Sequence, residues 1–267
     1  MIIQLGKPRK GSGMTQTATA IEVEKRIVNI GLALPQEQAP ITIIPEHVID
    51  PSNQAALVVV DEIFAFCVPG YGPLAPRREE PTITRMIILT DTLASRFQSR
   101  GWPIIVSKDC HDGIEFPWPL HAQRGTVDAQ LVSELRWLDQ AAALIIEKDC
   151  VDTWIGAEAP WPAGECSHCG ASFSTATTNY LREFLIKRNI KTLVVVGTCT
   201  DICVMRFVLS IFSACKKLLP GFHDVVVVPR ACTTYEAPGH SRELMHHMGL
   251  YLMQQSGAIL ADNIVFD

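Results

Sequence analysis

Short β-branched runs of strand length recur along the chain at Ala56–Asp61, Pro103–Lys108, Ala143–Lys148, Thr192–Gly197 and Asp224–Pro229, with a last one over Ile259–Phe266. Between them, apolar residues recur at intervals of three and four over Thr82–Arg100, Val127–Leu138, Thr175–Arg188, Asp201–Lys216 and Ser241–Ser256, which predicts helices. Strand and helix therefore alternate. The predicted fold class is α/β: a three-layer α/β/α, doubly wound domain around a mostly parallel six-stranded sheet. Residues 1–22, with Lys-Pro-Arg-Lys-Gly-Ser-Gly-Met at 7–14, carry no apolar periodicity and read as a flexible N-terminal arm, leaving 23–267 as a single domain.

Composition narrows the class. A chain of 267 residues that is 48% hydrophobic has ample material for one core. The net charge of −5 offers no electrostatic footprint for nucleic acid or an anionic membrane. Apolar runs such as Ala56–Val60 and Val225–Val228 are too short to span a bilayer, and no signal-peptide-like apolar stretch opens the sequence. A cytoplasmic location is expected. Nine cysteines, an odd number at irregular spacing, argue for reduced thiols rather than a disulfide framework.

In a doubly wound sheet the ligand crevice lies outside the carboxyl ends of the strands, so the chemistry should sit there. Four successive strand ends carry Asp61, Asp109 with His111, Lys148, and the turn Gly197-Thr-Cys-Thr-Asp-Ile-Cys-Val204. Taken alone, Cys203 in that turn fits a nucleophile at a helix start or a buried structural thiol equally well. Asp61 and Asp109 could each cap a turn, and Lys148 could be a solvated strand end. Their joint placement on one rim favours an active site. No glycine-rich phosphate loop follows Asp61, which disfavours a dinucleotide role. A thiol, a carboxylate and an ammonium suit acyl transfer through a thioester. Asp61 would take the Cys203 proton, Lys148 would lower the thiol pKa, and backbone N–H groups of the 198–203 turn would hold the oxyanion.

A second constellation follows the second strand: Asp109-x-His111, then Glu115, then His121, on a loop stiffened by Pro117 and Pro119. Two imidazoles and one or two carboxylates match N/O ligation of a divalent zinc, iron or manganese ion with positions left open. Incidental loop histidines are the plainer explanation, weakened by the catalytic rim beside them. Phe66 and Trp118 read as walls for a flat aromatic ligand or as core. Cys166-Ser-His-Cys169 is a single C-x-x-C in a Pro/Gly/Ala-rich stretch and reads as a loop feature. His246 and His247 are adjacent on a helix, and so are poor joint ligands.

On these residues, over about 50–267, the chain resembles the isochorismatase-like cysteine hydrolases, and within them the plant-type nicotinamidases. The segment 197–204 is similar to the family's nucleophile turn; Lys148-Asp149-Cys150, Leu74-Ala75-Pro76-Arg77 and the tail 243–251 are similar to the plant-type branch. The resemblance implies a triad of Asp61, Lys148 and Cys203, and an oxyanion hole from the N–H groups of Cys199 and Cys203. It also implies a cis peptide at Thr198–Cys199, metal ligands Asp109, His111, His121 and Glu115, zinc above iron or manganese, and a pyridine ring between Phe66 and Trp118. Nicotinamide hydrolysis in NAD salvage, and a homo-oligomer, follow from it as expectations. The alternatives are a metal-independent amidohydrolase of ureido or carbamoyl substrates in the same fold, and a catalytically silent ligand-binding module.

Overall fold

Seven parallel strands form one sheet in the order β1-β7-β6-β5-β2-β3-β4. The computed structural model describes residues 40–50, 54–113, 117–158, 178–219, 221–222 and 224–266, without the side chains of 215–218. The expected arm at 1–22, Glu115 and the Cys166/Cys169 loop lie outside the described residues. The strands are β1 (Ile43–Ile49), β2 (Gln54–Val60), β3 (Ile104–Asp109), β4 (Leu144–Lys148), β5 (Ile190–Thr198), β6 (Asp224–Thr233) and β7 (Ile259–Phe266).

The extra strand relative to the expected six is β1, which pairs with β7 at the sheet edge. Its residues are mostly exposed, and Pro45 interrupts its β-branched run. An edge strand tolerates a proline because one row of its N–H groups has no ladder partner, and the same fact removes the apolar signal.

Alternate residues of β2 divide between two cores. Leu57 and Val59 face Ile83, Met86 and Phe97 of helix α1 (Pro81–Ser99), while Ala56, Val58 and Val60 face the other layer. That layer comprises α2 (Tyr180–Lys187), α3 (Met205–Leu218) and α4 (Arg242–Gln255), through Phe184, Phe207, Ile211 and Leu250. Pro81 occupies the first turn of α1, where its missing N–H costs nothing. Asn179 caps α2 by accepting from the Arg182 N–H at 2.8 Å.

The helix expected over Val127–Leu138 is absent. That segment is irregular apart from a short 3₁₀ turn at Ser133–Leu135, and a helical turn at Leu138–Ala141 follows it. Its backbone is held to the chain leaving β2: Phe64 N–H donates to Gln130 O, and Val132 N–H to Glu62 O, both at 3.0 Å. The apolar spacing was real, since Leu131, Val132, Leu135 and Leu138 are fully buried under the sheet. Periodicity reports burial, and cross-chain hydrogen bonds chose another conformation.

The chain moves from β2 to β3 and β4 on one side, then returns to place β5 on the other side of β2. The switch point is thus between β2 and β5, and their carboxyl ends open into a crevice.

Candidate active site at the carboxyl edge of the sheet

Each strand end delivers its expected side chain. Asp61 leaves β2 with φ 52°, in the left-handed region that aspartate tolerates better than most residues. Its Oδ1 accepts the Asp109 N–H at 2.9 Å, and its Oδ2 lies 2.8 Å from Lys148 Nζ. The Lys148 ammonium also donates to Asp109 Oδ1. All three side chains are buried. At Gly197 (φ 122°) any Cβ would lie 2.1 Å from Val60 O, so only glycine lets β5 approach β2 just ahead of the crevice. The peptide Thr198–Cys199 is cis, in agreement with the resemblance.

Residues Thr200–Val204 form a π-helical turn and α3 begins only at Met205, so the expected helix start at Asp201 is replaced by a wider turn. Wide turns of this kind are frequent at functional sites. Cys203, inside the turn, is buried. Ligand atoms of Asp61, Asp109 and Cys203 all lie within 4.8 Å of one another.

Burial decides the electrostatics. It pushes the Cys203 thiol well up, and the Lys148 ammonium pulls it down only in part. The pull of Lys148 has the expected sign but is smaller than the effect of burial, so the group rests as a thiol and needs a base. Burial likewise raises Asp61 against the pull of Lys148. For Lys148 burial opposes the charge, but the attraction of acidic groups around it, Asp61 first, is larger and the ammonium is retained. The Cys199 thiol, raised by burial to about 11, is also protonated.

Asp109, His111 and His121 converge beside this cluster. The His111 N–H donates to Ala122 O and the Arg124 N–H to His111 O, both at 2.9 Å, which folds the loop back and sets the two rings 4.6 Å apart. Both Nε2 atoms lie 3.7 Å from Asp109 Oδ2. His121 Nδ1 is 2.7 Å from Pro119 O, an acceptor, so the proton sits on Nδ1 and the lone pair on Nε2. Three ligand atoms within 4.8 Å, two of them imidazole nitrogens, fit a divalent ion. Charge agrees: two buried carboxylates share one buried ammonium, and a cation at this position would balance the excess.

Both clusters open into a cavity of about 730 Å³. Phe66 and Trp118 line it, and Phe66 also packs against His121 with ring centroids 5.6 Å apart. Leu74, Ala75, Pro76 and Arg77 form another side. The opposite wall, Thr234–Pro238 with Arg242, was not anticipated from the sequence. It follows β6 directly, so the strand-end rule applied to one more strand would have found it. Glu62 was also missed: it is fully buried beside Asp61, and the Thr90 hydroxyl donates to its Oε1 at 2.6 Å.

Comparison with known proteins agrees with this architecture. The sequence is 32% identical over 247 residues to Nicotinamidase 1 of Arabidopsis thaliana, spanning 87% of this chain and 95% of that protein. A nicotinamidase structure from Bacillus subtilis superposes with a TM-score of 0.57 at 19% identity, covering 78% of this chain and 99% of that one. A pyrazinamidase from Pyrococcus horikoshii, solved in complex with zinc, gives 0.54 at 22% identity over 78% and 98% of the two chains. At such identities the solved structures establish the fold alone. The model of the Isochorismatase domain matches residues 55–263, and the chain belongs to that family.

Proposed function

We propose that this protein is a nicotinamidase, converting nicotinamide and water to nicotinic acid and ammonia through a thioester on Cys203, within NAD salvage in the cytoplasm. One observation carries the reading: an acid–ammonium–thiol cluster and an Asp-His-His cluster open side by side into one aromatic-walled cavity. The 32% identity to a plant nicotinamidase points to the same substrate.

The resting thiol needs a base, and an Asp61 carboxylate oxygen stands within 4.8 Å of the sulfur. As sulfur attacks the carboxamide carbon, the proton passes to Asp61 and then to the departing nitrogen, which leaves as ammonia. Lys148 holds Asp61 in place and offsets the negative charge that develops as the proton moves. Backbone N–H groups of Cys199 and Cys203 receive the oxyanion. Water, deprotonated by Asp61, then cleaves the thioester and the proton returns to sulfur. Phe66 and Trp118 sandwich the ring and exclude water. Asp109, His111 and His121 would hold a divalent ion, zinc in preference to iron or manganese, with Glu115 as a further ligand. An ion held there would supply Lewis-acid binding for a ring nitrogen, and with the ring so placed the carboxamide would face Cys203.

The test is metal analysis and ammonia release from nicotinamide on one purified sample. Turnover that disappears on chelation and returns with the divalent ion supports the reading. A metal-free protein that hydrolyses nicotinamide at the same rate overturns the metal assignment and favours the metal-independent amidohydrolase. No turnover in either state favours the silent binding module.

A further inference from the structure

The cavity wall formed by Thr234–Arg242 has little regular structure of its own. It leaves β6 after Thr233, makes one small bridge between Ala237 and His240, and enters α4 at Arg242. Its ties to the rest of the site therefore decide where it stands. The Arg242 N–H donates to Glu236 Oε2 at 2.8 Å and the Arg242 side chain donates to Thr234 O at 2.9 Å, so the segment is closed on itself. Two polar side-chain contacts lead out of it among the described residues: Arg242 Nη1 donates to Glu80 Oε2 at 3.0 Å, which ties its far end to another part of the cavity lining, and the second reaches the nucleophile turn. His240 Nε2 lies 2.9 Å from Asp201 Oδ2, and Asp201 belongs to the π turn that carries Cys203.

Three features set this pair apart from a casual surface contact. The Asp201 side chain is only 6% exposed, so its bond to the ring is shielded from water. Although it sits at the start of a helical turn, it makes no capping bond there, and its Oδ1 has no hydrogen-bond partner among the described residues. The imidazole continues the connection inward: Nδ1 is 3.1 Å from Tyr235 O, and the Tyr235 ring stacks on it at 3.8 Å, 9° from coplanar. Tyr235 lines the cavity. A chain of contacts thus runs from the nucleophile turn through Asp201 and His240 to the wall facing Phe66 and Trp118.

We propose that Asp201 and His240 are a positioning pair for substrate, fixing the Tyr235 wall relative to the Cys203 turn so that the ring is gripped with its carboxamide over the thiol. The proposal rests on the nicotinamidase reading. Neither residue touches the reacting atoms. Losing the pair should loosen the wall, raising KM, while Asp61, Lys148 and Cys203 keep their mutual arrangement.

The experiment compares the metal-loaded wild type with His240→Ala, His240→Gln, Asp201→Asn and the double variant Asp201→Asn/His240→Ala. His240→Ala is expected to raise the KM for nicotinamide about tenfold, with kcat changed less than about threefold. Alkylation of Cys203 by iodoacetamide should proceed at the wild-type rate. His240→Gln, which keeps one N–H for the carboxylate, should recover part of the loss, and the double variant should be no worse than the single ones. Amide hydrogen exchange over 234–241 should quicken in His240→Ala and not elsewhere on the rim. An unchanged KM and exchange pattern in His240→Ala overturns the pair, as does an equal loss of iodoacetamide reactivity, which would mean that the pair acts on the nucleophile turn. If Asp201→Asn fails to fold, the two His240 variants and the exchange measurement still decide. Absence of nicotinamide turnover in the wild type counts against the nicotinamidase reading alone, because hydrogen exchange reads the pair without substrate.

Discussion

The two halves of the site are assembled in opposite ways. Asp61, Lys148 and Cys203 come from three strands that meet only because β5 returns to the far side of β2. Asp109, His111 and His121 come from one strand end and the loop after it, closed by a bridge between His111 and Gln123. The first cluster is buried, and burial outweighs pairwise attraction at Asp61 and Cys203, whereas attraction outweighs burial at Lys148. The second is local and ordered by its own backbone hydrogen bonds. On the proposed mechanism chemistry falls to the centre of the sheet and positioning to a loop, so the two should fail separately.

The largest break in that comparison is Cys203→Ala, which should lower nicotinamide turnover by more than about 10⁴-fold. Cys199→Ala keeps the backbone N–H and should retain most activity. A dead Cys199 variant beside an active Cys203 variant would move the nucleophile. Next is Asp61→Asn, nearly isosteric but unable to take the thiol proton. Steady-state assays should show kcat lower by about 10²–10⁴-fold with the thermal transition intact. Near-normal turnover would place proton transfer elsewhere.

The sharpest comparison is His121→Ala, or chelation of the wild type. Nicotinamide kcat/KM should fall about 10²-fold, while Cys203 still reacts with iodoacetamide at close to its original rate. Parallel loss of both would show that the clusters form a single unit.

The smallest effect concerns two neighbouring acids with different partners. Asp61 has the Lys148 ammonium, whereas Glu62, equally buried, has the Thr90 hydroxyl. Burial raises Glu62 to about 8, only partly offset by that hydroxyl. The folded state therefore keeps this proton where the unfolded chain has released it. Its contribution is most favourable below the ordinary glutamate value and is lost as pH rises toward about 8. Glu62→Gln carries no titrating group, so its melting temperature should fall less between pH 5 and pH 8 than that of the wild type, by several degrees. Equal falls in the two proteins would show that Glu62 does not titrate in this range.

How much of this could be read in advance differs by element. The buried strands β2 to β7 were legible because parallel strands covered on both faces must be apolar throughout, and β-branched residues mark them. The edge strand β1 was not, since exposure removes the signal that burial writes. Over Val127–Leu138 the spacing of buried residues was read correctly and the conformation wrongly, because a backbone can meet the core at those intervals without coiling. Apart from His121, which lies well along the loop after the second predicted strand, the residues of both clusters were legible because each stands at or just beyond a predicted strand end and few residue types do this chemistry.

Sequence alone therefore determined which side chains are available, on which strand ends, and the sheet that gathers those ends on one rim. Only the tertiary structure decided their state. It made Cys203 a buried thiol beside Asp61, suspended Lys148 between two carboxylates, and joined the Tyr235 wall to the nucleophile turn through Asp201 and His240. The reason is physical: strand and helix propensities act over a few residues, whereas desolvation and ion pairing depend on groups brought together from distant parts of the chain. Lys148 is 39 residues from Asp109 in sequence, yet it is in contact with it in the fold.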